Sequence, residues 1–201
     1  MEKKISLKNW ISIFFVLLIA SITIFLLFIP KQSIQANLPI YGQVPSFNLT
    51  DSQAKNFSSE SLKGKIWVVD FIFTTCAGPC PMMSTAMAQL YRSYLLEADV
   101  HMVSFSVNPD YDTPKILADY AEKYKASPDK WHFLTGPKNT IHYLAKDGFK
   151  VGSVDDVILH SDHFVLVDPD LNIRGYYTGT DPEEIQKLVC DMALLLKKKK
   201  V

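Results

Sequence analysis

Ile66-Trp67-Val68-Val69-Asp70-Phe71-Ile72-Phe73-Thr74-Thr75-Cys76-Ala77-Gly78-Pro79-Cys80-Pro81 is the stretch that decides the fold. Residues 66–73 are apolar on both alternating sets of positions, Asp70 excepted, so this strand has both faces covered, as in a central strand flanked by helices. Cys76 follows at once, and from Met83 onward Met87, Leu90, Tyr91 and Tyr94 recur at helical spacing, predicting a helix over 80–97. A C-x-x-x-C pair therefore stands where a buried strand turns into a helix. Unpaired N–H groups and the positive end of the helix dipole favour thiolates there and lower their pKa. If the first turn is helical, the i, i+4 spacing puts both sulfurs on one side of it. Two soft anionic sulfurs suit Cu(I), with a third ligand completing a trigonal site; the plain alternative is a structural disulfide.

Outward from this stretch, Val100–Val107 is a second apolar strand ending at Asn108-Pro109, and Thr113-Pro114 opens a helix with a capping threonine and a proline at the first helical position. The strand-helix alternation implies parallel crossover packing. Trp131–Leu134 is a short strand and a helix lies around 138–147. Phe164–Val167 and Ile173–Tyr177 form an antiparallel pair across Asp168-Pro169-Asp170, and a last helix begins near Pro182 behind an acidic first turn. Upstream, Phe47, Leu49 and Phe57 around a polar stretch indicate a small hairpin.

The chain has 201 residues, 48% hydrophobic and 12% aromatic, enough for one folded domain plus an appendage. Its formal net charge of +0 supplies no basic field for DNA or RNA, and nucleic acid is dropped as a partner. Lys197–Lys200 reads as a solvated, frayed tail. Trp10–Ile29 is apolar but for Ser12, Ser21 and Thr23, close to the ~20 residues a spanning helix needs, and no A-x-A cleavage pattern follows it. Lys3, Lys4 and Lys8 precede the span and Lys31 alone directly follows it, which orients the N-terminus to the cytoplasm. The expected organisation is a cytoplasmic N-terminus over 1–9, an anchor over 10–30, a linker over 31–43 and a domain over 44–201 on the outer side of the cell membrane.

In these and neighbouring residues the chain resembles the Sco/SenC family of copper-binding proteins that help assemble the copper centre of cytochrome oxidase. The resemblance is carried by Leu62-Lys63-Gly64-Lys65, by Phe71–Cys76 with Cys80-Pro81, by Ser106–Pro109 with Asp112-Thr113-Pro114, by Trp131–Gly136, and by His160-Ser161 ahead of Phe164–Asp168. It implies a thioredoxin-like α/β fold, copper as the bound metal, and a copper-receiving subunit of a respiratory oxidase as partner. It also implies a ligand set of Cys76, Cys80 and His160. His163 competes for the third place; His160 is preferred because it precedes the Leu166-Val167-Asp168 segment by the family's interval. The spacer Ala77-Gly78-Pro79 lacks the acidic residue many members carry, and Asn108 stands where an aspartate is usual, a change bearing on a turn.

A second function class fits the same cysteines: a thiol-disulfide oxidoreductase in which one low-pKa cysteine attacks and the other resolves. Asp70, six residues before Cys76, stands at the offset of the buried acid of thioredoxins, where burial raises its pKa enough to accept a proton; the other reading is an aspartate at the wet end of a strand. No proline stands just ahead of the Phe164 strand, where thioredoxins place one, which favours the metal reading. The Thr-x-x-Cys spacing of peroxiredoxins is absent, which ranks that reading last. His101, His132 and His142 read as packing residues, Met82, Met83 and Met87 as adaptable core filler, and Cys190 as an inert buried thiol in the last helix.

Overall fold

The computed structural model describes residues 38–151 and 161–199, together with Leu17, Leu18 and Ser21. Two compact units divide the chain, 1–36 and 37–201, and the second holds everything that follows. The anchor expected over 10–30 lies, those three residues aside, outside the described residues, as does His160. Among the described residues no helix is long and apolar enough to cross a membrane.

The second unit is built on strands β1 (Gly42–Gln43), β2 (Asn48–Asp51), β3 (Asn56–Ser58), β4 (Ile66–Ile72), β5 (Val100–Ser106), β6 (Trp131–Thr135), β7 (His163–Val167) and β8 (Asn172–Thr178). Its helices are α1 (Cys80–Ser93), α2 (Pro114–Lys123), α3 (Lys138–Tyr143), which widens into a π turn over Leu144–Gly148, and α4 (Pro182–Lys199). The strands form one mixed sheet in the order β1-β8-β7-β4-β5-β6-β2-β3. β4 is parallel to β5 and β5 to β6, whereas β7 runs antiparallel to both β4 and β8.

All seven residues of β4 are buried, as the unbroken apolar run requires. Ile66, Val68 and Ile72 face a cluster with Met83, Met87 and Leu90 of α1, Leu117 of α2, and Leu188, Met192 and Leu195 of α4. Trp67, Val69 and Phe71 face the other layer, with Phe47, Leu62, Ile141 and Phe149. Helices thus cover both faces of the sheet. α2 starts as its sequence implies, the Thr113 hydroxyl accepting from the Ile116 N–H with Pro114 at the first position. The Lys63-Gly64-Lys65 turn feeds β4 through Gly64, whose φ of +77° suits glycine.

Three expectations are corrected. The last helix runs to Lys199, and its ammonium bonds Asp99 at 2.6 Å and the Gly64 carbonyl, so that end is pinned rather than frayed. Cys190 is exposed, because α4 turns Leu188, Asp191, Met192, Leu195 and Leu196 inward. Met82 is 60% exposed, although Met83 and Met87 fill the core as expected. Within the stretch read as linker, β1 pairs with Asn172 and Ile173 of β8. There Arg174 also holds the Leu38 and Pro39 carbonyls while pairing with Asp168 at 2.7 Å in a buried ion pair.

His101 and His132 pack side by side, Nδ1 of one 3.1 Å from Nε2 of the other, so one ring donates and the other accepts. Burial first, then the charge of Lys65, pushes each down to about 4 from 6.5. Unfolded imidazoles take up protons near pH 6.5 while the folded pair resists, so their contribution is complete above that pH and is lost as pH falls from 6.5 to about 4. The urea midpoint of the domain is therefore expected to drop across that interval, and His101→Gln/His132→Gln is expected to flatten the drop; equal slopes for both proteins refute the assignment.

Candidate metal centre

β4 ends at Ile72, and Phe73 to Cys76 make a tight turn closed by the Cys76 N–H donating to the Phe73 carbonyl at 3.1 Å. α1 then begins at Cys80, behind Pro79, whose carbonyl accepts from the Met82 and Met83 N–H groups. Cys76 therefore stands in the loop and not on the helix, so the helical first turn on which the shared side of the two sulfurs depends does not reach Cys76. Proline at position 79 has no N–H to donate, which suits the place just before the first helical residue.

The two thiols meet in spite of this. The Cys76 sulfur takes an N–H from Gly78 at 3.4 Å. Its partial burial raises its pKa, but hydrogen bonding from the Cys80 thiol and from the Cys80 and Gly78 N–H groups outweighs this and leaves it lowered. Cys80 goes the opposite way. Only 4% exposed, it is pushed up to about 12 by burial first, the Phe73 backbone offsetting part of the effect and Cys76 and Asp70 adding to it. The dipole argument thus holds for one sulfur and fails for the other, because desolvation of a thiolate outweighs the helix end when the side chain points into the core. Both cysteines are free thiols. The result is an asymmetric pair: Cys76 partly exposed with its pKa lowered, Cys80 buried with its pKa raised.

Asp70 is not at the wet end of its strand. It is fully buried, on the face of β4 that packs against α1, beside Ser104 of β5 in the parallel register. Burial raises its carboxyl to about 7, with the Ser104 hydroxyl lowering it only partly. Neither carboxylate oxygen has a partner at hydrogen-bond geometry, and the Ser104 hydroxyl accepts the Trp131 indole N–H at 2.9 Å. Its charge reaches both Cys80 and Tyr120.

His163, the rival third ligand, opens β7 half-exposed, with Nδ1 2.7 Å from Asp162. Asp162 is thereby engaged with His163. Its carbonyl accepts from the Gly179 N–H, and a Cβ at Gly179 would lie 3.2 Å from Met83 Cγ, so this end of the β7–β8 pair lies against the first turns of α1. The register agrees. Trp67 pairs with Val167 and Val69 with Val165, so the N-terminal approach to β7 lies at the C-terminal end of β4, where the thiols are. Among the described residues no three His, Cys, Asp or Glu side chains converge on one point, so the two sulfurs lack a completing ligand from that set. Asn108 acts as its position suggests, its carbonyl accepting from the Tyr111 and Asp112 N–H groups in a turn. Sequence reading gave Asp112 no task of its own; the structure places it, fully buried, against the cysteine loop.

A family model described as SCO1/SenC matches residues 40–194. The SCO1 protein homolog of Bacillus subtilis (strain 168) is 36% identical over 160 residues, covering 77% of this chain and 83% of that protein. Among solved structures, BsSco, a member of the Sco family of cytochrome c oxidase assembly proteins in which a disulfide switch was identified, superposes with a TM-score of 0.67 at 35% identity, over 78% of this chain and 95% of that one. Copper-bound ScoI of Arabidopsis thaliana shares the fold with a TM-score of 0.62 at 23% identity, over 77% and 98% of the two chains. Strand order, the C-x-x-x-C turn and these similarities together show that the chain belongs to the SCO1/SenC family.

Proposed function

We propose that this chain is a membrane-anchored copper metallochaperone, holding the metal through Cys76, Cys80 and His160 and assisting assembly of the copper centre of cytochrome c oxidase. The observation that carries the proposal is the contact of a partly exposed Cys76 with the buried Cys80 just past the C-terminal end of the central strand, in a chain of this family. Two thiolates are the soft ligands that Cu(I) favours, and the metal's charge drives off the Cys80 proton that burial otherwise retains. His160 is supported by the family resemblance and by the course of the described chain. Two residues span at most about 7 Å, and Asp162, two positions on, lies at the thiol end of the sheet. The N-terminal apolar stretch is the anchor, with the domain on the outer side of the cell membrane and a copper-receiving oxidase subunit as partner.

Residues 37–201 are expected to bind one Cu(I) per chain when reduced. In competition with a Cu(I) chelator, His160→Ala weakens retention by at least about 10–100-fold, the range that loss of a ligand's supporting partner costs, and Cys76→Ser abolishes it. Equal retention by wild type and His160→Ala removes the histidine from the site.

A thiol-disulfide exchange reading is favoured by the unequal thiols and by Asp70. The Cys76 thiolate attacks a partner's disulfide and releases one partner thiolate; the Cys80 thiol then loses its proton to the Asp70 carboxylate and attacks Cys76, which frees the second partner thiolate. The partner leaves as a dithiol and this chain keeps the disulfide. Asp70→Asn is expected to slow the second step by about 100–10,000-fold, the loss of a general base. It is also expected to stabilise the protein. A carboxyl raised from 3.8 to about 7 contributes stability below pH 3.8 that is lost as pH rises through 7, so the gain is up to about 4 kcal/mol at pH 8 and near zero at pH 4. Thermal melts at the two pH values and stopped-flow reduction of a disulfide peptide check both. Unchanged rates restrict the pair to metal binding.

A further inference from the structure

The carboxylate of Asp112 is fully buried, faces the reactive loop, and is satisfied by hydroxyl and amide donors. One oxygen accepts the Thr74 hydroxyl at 2.5 Å; the other accepts the Thr74 N–H at 3.1 Å and the Ser106 hydroxyl at 2.6 Å. Ser106 is the last residue of β5, paired in register with Ile72, the last residue of β4. Its hydroxyl also accepts the Asn108 N–H at 3.1 Å, and Asp112 in turn donates its own N–H to the Asn108 carbonyl at 2.9 Å. One carboxylate thus ties together the ends of the two central parallel strands and the loop that leads into α2.

Thr74 is the second residue of the turn that Cys76 closes by donating to Phe73. Held at both its amide and its hydroxyl, Thr74 has no freedom to swing, and the turn delivers the Cys76 sulfur to Cys80 in one orientation. From these contacts we infer that Asp112 is a positioning residue for the dithiol: through Thr74 it fixes the approach of Cys76 to Cys80 and so sets how readily the two sulfurs act together. The inference deepens the proposed function, since both metal capture and thiol exchange need the pair held together. Holding two reacting groups in place raises their effective concentration, and loosening either one lowers it.

The test is disulfide formation without metal. In oxidation by glutathione disulfide, the two thiols give up two protons and two electrons, the Sγ–Sγ bond forms, and two molecules of reduced glutathione are released. The full chain is used, with the exposed Cys190 changed to serine in every protein so that only the pair reports. Thr74→Val removes the hydroxyl donor from a half-buried side chain and is expected to lower the equilibrium constant for the Cys76–Cys80 disulfide by about tenfold, a potential about 30 mV higher. Thr74→Ser restores the donor and is expected to stay within twofold of wild type. Asp112→Asn, which puts an amide nitrogen where one accepting oxygen stood, is expected to move the constant in the same direction as Thr74→Val.

Thermal midpoints are recorded alongside; a general loss of stability lowers the midpoint without separating valine from serine at position 74. Thr74→Val within twofold of wild type overturns the inference, as does a wild type that forms no Cys76–Cys80 disulfide. Because no copper is present, a chain that fails to bind copper but shows the valine-serine difference sinks the metal reading and leaves the clamp standing. The converse result separates the two in the other direction.

Discussion

β4 is covered on both faces, and the reactive end of the molecule is a consequence of that burial. A strand enclosed between two layers has its side chains locked by packing and its backbone paired on both edges, by β5 and β7, so the point where it stops is fixed in space. Loops at the ends of parallel strands inherit that fixity. Phe73 to Cys80 form such a loop, anchored at one side by the strand and at the other by α1, whose Met83 and Met87 are sunk into the core. The same burial that makes the scaffold rigid also separates the chemistry of the two sulfurs, because the one that begins the helix is buried within the layer of Met83 and Phe164 whereas the one in the loop packs against that layer only in part.

Asp70 is the exception within that layer. A carboxyl without a hydrogen-bonding partner in an apolar cluster is costly to fold around, and mutations seldom preserve such a cost without a return. It lies on the α1 side of the sheet, where its charge reaches the buried Cys80 thiol. Asp112, equally buried, is the counter-example, for its charge is met by three donors and its task is geometric.

Much of this was legible in the residues. The unbroken run 66–73, the period of Met83, Met87 and Leu90, the Thr113-Pro114 helix start and the Asp168-Pro169-Asp170 turn are local signals, and each produced the element expected of it. The failures have a common cause, since they concern which side of an element meets which neighbour. Cys190 stands among apolar residues in sequence but on the outer side of α4, and Lys199 at the end of a basic run finds Asp99 and the Gly64 carbonyl across the fold. The opposed thiol pKa values were hidden for the same reason, as they depend on how deep Cys80 sits. Asp112 was visible as part of a recurring sequence pattern, but a contact between residues 38 positions apart leaves no periodicity to read.

The run of α4 has a practical consequence. It starts just beyond β8, at the pole where the thiols lie, and its 18 residues carry the chain about 27 Å to Lys199, which is fastened where β4 and β5 begin. Anything joined beyond that point, whether a fluorophore, an affinity handle or a solid support, attaches at the end of the sheet opposite the thiols and leaves the cysteine loop unobstructed.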